Sequence, residues 1–159
     1  MNSSSRVLVV DDQAGDIRWL LDLITSRGYT VDLATNQEAA MRQLDQVKSG
    51  AASYALAIFD VMVAIKDLMD LVEIDEDFFE ESRDTGIRLC RYARKDLGIP
   101  VSELPIACLT VREDDEVEKA MRELGIPLFN RTPNSPSESI RSFLDKQLPK
   151  RAAEPDDQP

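Results

Sequence analysis

Five short apolar runs punctuate this chain: "VLVV" (7–10), "YTVDLAT" (29–35), "YALAIFD" (54–60), "LPIACLT" (104–110) and "PLFN" (127–130). Runs of this length bounded by polar residues read as strands, and the most apolar of them as strands buried on both faces. Between them the apolar residues recur at helical spacing. Ile17, Leu20, Leu21 and Ile24 mark a helix over 16–27 that Gly28 stops, and Ala39, Ala40, Leu44 and Val47 mark a second. Ile87, Cys90 and Leu97 lie on a third, over 86–97, and Val117, Ala120, Met121 and Leu124 on a fourth. The last helix opens at "SPSE" (135–138), a capping box with Pro136 in the first turn, and runs through Ile140, Phe143, Leu144 and Leu148. Strand and helix alternating in this way predict an α/β fold: a doubly wound parallel sheet of five strands with helices on both faces.

At 159 residues the chain is long enough for one domain with a real core. A net charge of −11 argues against nucleic acid as a partner, because phosphate backbones call for clustered Lys and Arg. The sequence contains 0 histidines, which removes histidine bases, histidine metal ligands and phosphohistidine from its own chemistry. No apolar run approaches membrane-spanning length and "MNSSSR" lacks a signal-peptide core, so a cytoplasmic location is expected, with no membrane partner. Cys90 and Cys108 sit in apolar surroundings and are expected to be buried free thiols. The termini, 1–5 and the Pro-rich 149–159, are expected to be disordered.

In parallel α/β sheets the ligand crevice lies at the carboxyl ends of the strands. There this chain puts Asp11 and Asp12 from the first strand, Asp60 from the third and Thr110 from the fourth. Clustered carboxylates without histidine suit a hard divalent cation, Mg²⁺ above all. Plainer roles stand beside that one. The two acids can cap the first helix. "TVRE" (110–113) is itself a capping box.

One segment breaks the alternation. Between Asp60 and Gly86 the chain runs much further than the loops of compact domains, and over 63–85 it carries nine acids against two bases. Ile65, Leu68, Met69 and Val72 fall at amphipathic-helix spacing, which serves either packing on the domain's own surface or docking of a partner or a second copy.

The acidic pair ending the first strand, the acid ending the third, "LTVREDDE" (109–116) and "GYTVDLATNQEAAMRQL" (28–44) together resemble the receiver domain of two-component response regulators, over about residues 6–148. The resemblance implies a flavodoxin-like (βα)5 fold with an insertion, about 63–84, between strand three and helix three. It also implies that Asp60 accepts a phosphoryl group from a sensor histidine kinase or phosphotransfer protein. A Mg²⁺ ion would be held by Asp11 or Asp12, Asp60 and the Met62 carbonyl, Thr110 would hydrogen-bond the phosphoryl group, and Phe129 would follow its movement as a switch. Such a receiver is not an enzyme beyond its own phosphotransfer and self-dephosphorylation. Nothing like an output domain follows Leu148, which implies signalling by binding an output protein.

The sequence departs from the family in three places. Thr132 stands where the family has a strand-five lysine, with Arg131 beside it on the opposite face and Lys66 as a substitute cation. The family's glycine eight positions past the acceptor is here Gly86, so about 18 residues are extra. Val111 replaces a small residue. These departures open an alternative, a degenerate receiver that binds partners through its acidic insertion without phosphorylation. Two enzyme classes are set aside. Phosphatases with an Asp nucleophile carry a second Asp two residues on, where this chain has Met62. Dinucleotide binding needs a Gly-x-Gly-x-x-Gly turn, which is missing.

Overall fold

The computed structural model of the protein describes residues 4–64, 82–111, 115–130 and 138–151. Strands β1 (Arg6–Val10), β2 (Thr30–Ala34), β3 (Leu56–Asp60), β4 (Ile106–Thr110) and β5 (Leu128–Asn130) form one parallel sheet in the order β2-β1-β3-β4-β5. Helices α1 (Arg18–Ser26), α2 (Gln37–Ser49), α3 (Thr85–Arg91), α4 (Asp115–Leu124) and α5 (Glu138–Gln147) connect or follow the strands. This is the five-stranded α/β architecture expected from the alternation.

Side chains on a strand alternate between its faces, and each face finds its own helices. Leu8, Val10, Ala57, Phe59 and Cys108 enter one core with Ala40 and Leu44 of α2, Ile87 and Cys90 of α3, and Val117 and Met121 of α4. Val7, Val9, Leu56, Ile58 and Leu109 enter the other with Leu20 and Ile24 of α1 and Ile140 and Leu144 of α5. All five residues of β3 and of β4 are buried, which is why those two segments read as unbroken apolar runs. Among the described residues no helix is long and apolar enough to cross a membrane.

Local chemistry sets the helix ends. The Asn36 carboxamide accepts the Ala39 N–H at 2.8 Å and starts α2. Gly28 ends the first helical segment in the left-handed region, φ 90°. Two expected helices are more irregular than their periodicity suggests. The first opens with a tight 3₁₀ turn, Ala14–Ile17. The third changes after Arg91 into a π-type turn, Tyr92–Asp96, closed by the Leu97 N–H on the Tyr92 carbonyl at 2.8 Å.

Order reaches beyond the expected domain ends. The Ser4 hydroxyl donates to the Ser53 carbonyl at 2.7 Å, and the Ser5 carbonyl accepts the Thr30 N–H at 2.8 Å. After α5 the chain folds back on the α1–β2 junction. Tyr29 donates its hydroxyl to the Pro149 carbonyl at 3.0 Å, the Arg151 N–H reaches the Arg27 carbonyl at 2.9 Å, and the Arg151 guanidinium lies over the Tyr29 ring. Ser4, Ser5, Pro149 and Arg151 thus hydrogen-bond to the rest of the domain. The rest of the tail, like residues 1–3 and the start of the "SPSE" box, lies outside the described residues.

Tyr54, just ahead of β3, is 1% exposed and donates its hydroxyl toward Asp32 Oδ2 at 2.7 Å, with Gln43 Oε1 at 2.9 Å. Burial, and then the hydrogen bond to the Asp32 carboxylate, hold the phenol well above the ordinary tyrosine range. The unfolded chain releases that proton near pH ~10, so above that the native state binds more protons than the unfolded one. Stability contributed by Tyr54 is then complete below that pH and is lost as pH rises further. Urea melts across this alkaline range should show falling stability in the wild type and a shallower fall in Tyr54→Phe.

Candidate functional site

The carboxyl ends of β1, β3 and β4 are neighbours in the sheet, and the register decides which side chains meet there. Val10 pairs with Phe59, so Asp11 and Asp60 come next, side by side, and Asp60 itself pairs with Leu109, one residue before Thr110. Asp11 is 1% exposed, Asp60 4% and Thr110 1%. Three polar side chains are thus buried at the edge of an otherwise apolar sheet.

Backbone amides hold the carboxylates. Asp11 Oδ1 accepts the Gln13 N–H at 2.7 Å in a local turn. The helical segment that follows has its N-caps at Gln13 and Ile17 with no side-chain cap bond, so Asp11 does not cap it. Asp60 Oδ1 accepts the Met62 N–H at 3.1 Å. Asp12 is exposed, and its Oδ2 accepts the Ala64 N–H across the crevice at 2.9 Å. The expected convergence of three carboxylates is therefore a buried pair, Asp11 and Asp60, with Asp12 at the rim. Among the described residues no three His, Cys, Asp or Glu side chains group closely enough to hold a metal ion. Mg²⁺ does not require three, since it commonly takes one or two carboxylates and completes its octahedron with water and phosphate oxygens. The buried donors are all hard oxygen, and that donor set fits such an ion.

Around this pair the backbone past Asp60 is fastened at several points. The Gly86 N–H donates to the Val61 carbonyl at 2.8 Å, and the Gln37 N–H to the Ala64 carbonyl at 2.9 Å. The buried Thr85 hydroxyl donates to the Val63 carbonyl. Arg88 reaches both neighbours, Nε to Gln37 Oε1 at 3.0 Å and Nη2 to Thr85 Oγ1 at 3.2 Å. Gly86 lies so close that a Cβ there would stand 2.5 Å from the Asp60 carbonyl oxygen and 2.6 Å from Val61 Cα. Gly86 was legible as the family's glycine displaced along the chain. Gln37, Thr85 and Arg88 carried no sequence signal, because their partners are backbone atoms or lie about fifty residues away.

Cys108, next to Thr110 on the same face of β4, faces Cys90 of α3 with Sγ atoms 3.4 Å apart, and both are buried free thiols. The hydrogen bond that the Cys108 thiol makes to Cys90, and then burial, raise Cys108 well above its ordinary range. Met62 and Val111 are exposed apolar side chains, 38% and 64%, on the segments leaving β3 and β4. Phe129 is partly buried and packs on Phe143 of α5, ring centroids 5.1 Å apart, as a strand aromatic would. Thr132, Arg131, Lys66 and most of the acidic insertion lie outside the described residues.

With this geometry in place, solved structures identify the class of fold. The chain matches a response regulator from Burkholderia pseudomallei with a phosphorylated aspartic acid and a calcium ion, at TM-score 0.58 and 20% identity, covering 90% of this chain and 65% of that one. It matches the BeF3-activated receiver domain of Klebsiella pneumoniae RstA at TM-score 0.61 and 18% identity, covering 91% and 98%. It also matches the response regulator TrrA of Thermotoga maritima in complex with Mg²⁺-BeF at 0.57 and 20%, covering 90% and 98%. The protein therefore has the receiver fold of response regulators. No protein-family model and no curated protein matches the chain.

The close approach of Gly86 yields a test of the site's scaffold. Gly86→Ala must push α3 off the backbone that follows Asp60. An overpacked core costs about 1–3 kcal/mol, so urea unfolding of this variant should show a loss in that range or above.

Proposed function

We propose that this protein is a response-regulator receiver that takes a phosphoryl group on Asp60 from a phosphohistidine of a sensor kinase or phosphotransfer protein. The observation that carries the reading is the pairing of Asp11 with Asp60, both buried, at the ends of adjacent strands, with Thr110 on the next strand. Phosphoryl transfer asks little covalent work of a protein and much positioning and charge neutralisation. The Met62 N–H on Oδ1 orients the Asp60 carboxylate. An Asp60 oxygen attacks phosphorus as the bond to the donor nitrogen breaks, and the electron pair leaves with the imidazole. Asp11 and Asp60, with Asp12 or the Met62 carbonyl beside them, would hold Mg²⁺, whose charge offsets that of the phosphoryl oxygens. Thr110 donates its hydroxyl to one of those oxygens, and Phe129 repacks against Phe143 as the β4 end draws in. The product carries about −1.5 to −2 charges, enough to bias a two-state surface toward binding an output protein.

A second reading has its own support in the sequence. Thr132 stands where receivers have a phosphoryl-contacting lysine, and a charged hydrogen bond of that kind is worth about 1.5–3 kcal/mol. In that reading the chain is a phosphorylation-independent interaction module.

Intact-mass measurement after incubation with acetyl phosphate separates the two. The expected result is one phosphoryl adduct that requires Mg²⁺ and is lost in Asp60→Asn. Thr110→Ala should slow its formation about ten- to a hundredfold. No adduct on the wild type, or the same adduct on Asp60→Asn, would leave only the interaction module.

A further inference from the structure

We propose that the groove between α2 and α3 is a docking site for an acidic peptide segment of a partner protein, one that carries an apolar anchor beside its carboxylates. The groove encloses about 370 Å³ and lies on the helical layer of the sheet, apart from the Asp60 crevice. Its size is that of a site for one or two side chains rather than a packing defect. Met41 from α2 and Leu89 and Tyr92 from the α3 side supply apolar wall, and Arg88 and Arg91 line the same space.

Charge decides what can enter. In a chain of net charge −11, residues 85–96 carry Arg88, Arg91, Arg94 and Lys95 against the single acid Asp96. Among the described helices α3 and its π-type turn are the basic element, since α1, α2 and α5 balance their charges and α4 is acidic. Arg94 is turned to the Ile99 carbonyl at 3.0 Å, so Arg88 and Arg91 are the cations that line the groove, and they outnumber its one acid, Asp96.

Arg88 is fixed in advance by Gln37 and Thr85, so it loses little freedom on meeting a carboxylate. Arg91 is exposed one helical turn on. A planar carboxylate suits two guanidinium groups at this spacing. A bare inorganic anion or a backbone phosphate would leave the Met41 and Tyr92 wall uncovered. The groove also closes on a π-type turn, a distortion that recurs at functional sites. This inference does not depend on phosphotransfer at Asp60.

The test is fluorescence anisotropy on the full chain with a short fluorescein-labelled peptide of alternating Glu and Leu, and a Lys and Leu peptide as control. The acidic peptide should bind and weaken with added salt. Arg91→Glu should weaken it at least about tenfold, whereas Arg122→Glu on α4, an equal change in net charge, should have little effect. Circular dichroism would confirm that both variants are folded. Failure of the acidic peptide to bind, equal losses in the two variants, binding of the basic peptide as well, or displacement by inorganic phosphate at matched ionic strength would each overturn the proposal.

Discussion

Two carboxylates buried side by side are an electrostatic liability, and the rest of this structure is arranged around it. Asp11 and Asp60 are nearly inaccessible and adjacent in the sheet, where a low dielectric magnifies their repulsion. Amide donors from Gln13 and Met62 meet part of that cost. A divalent cation, as proposed above, would offset the remainder. The site lies where parallel α/β sheets open, at the carboxyl ends of the central strands.

The long excursion after β3 does not loosen this arrangement, because its stem is closed. Residues 61–64 and 85–86 are joined by the Gly86 amide and the Thr85 hydroxyl, while Gln37 and Asp12 fasten Ala64 from two other elements. Loop-closure cost grows slowly with loop length, so once the stem is secured extra residues are tolerated. Arg88 ties the stem to the wall of the α2–α3 groove. One guanidinium thus touches both the scaffold of the Asp60 site and the surface proposed for a partner.

Much of the fold was legible. β3 and β4 announced themselves because both faces of each are buried. Helix faces followed from apolar spacing, and Ala40, Leu44, Val117 and Met121 all entered the core. Asp60 and Asp11 were legible because a charged residue directly after a buried run can only lie at a sheet edge. Illegible were the outward turn of Asp12, the docking of Arg151 on Tyr29, and the Tyr54–Asp32 bond. Each joins positions distant in sequence and has no periodic signature. The π-type turn after Arg91 likewise leaves the apolar pattern nearly unchanged.

By itself the sequence determined the class of fold and which residues stand at strand ends, since hydrophobic periodicity is a local property that survives without knowledge of neighbours. Only the tertiary structure decided that the acids form a buried pair with a third at the rim, that Gly86 must lack a side chain, and that two arginines share a groove with Met41 and Tyr92. Those facts depend on the lateral register of strands and the seating of helices. Such properties arise only when segments far apart in the chain compete for the same space.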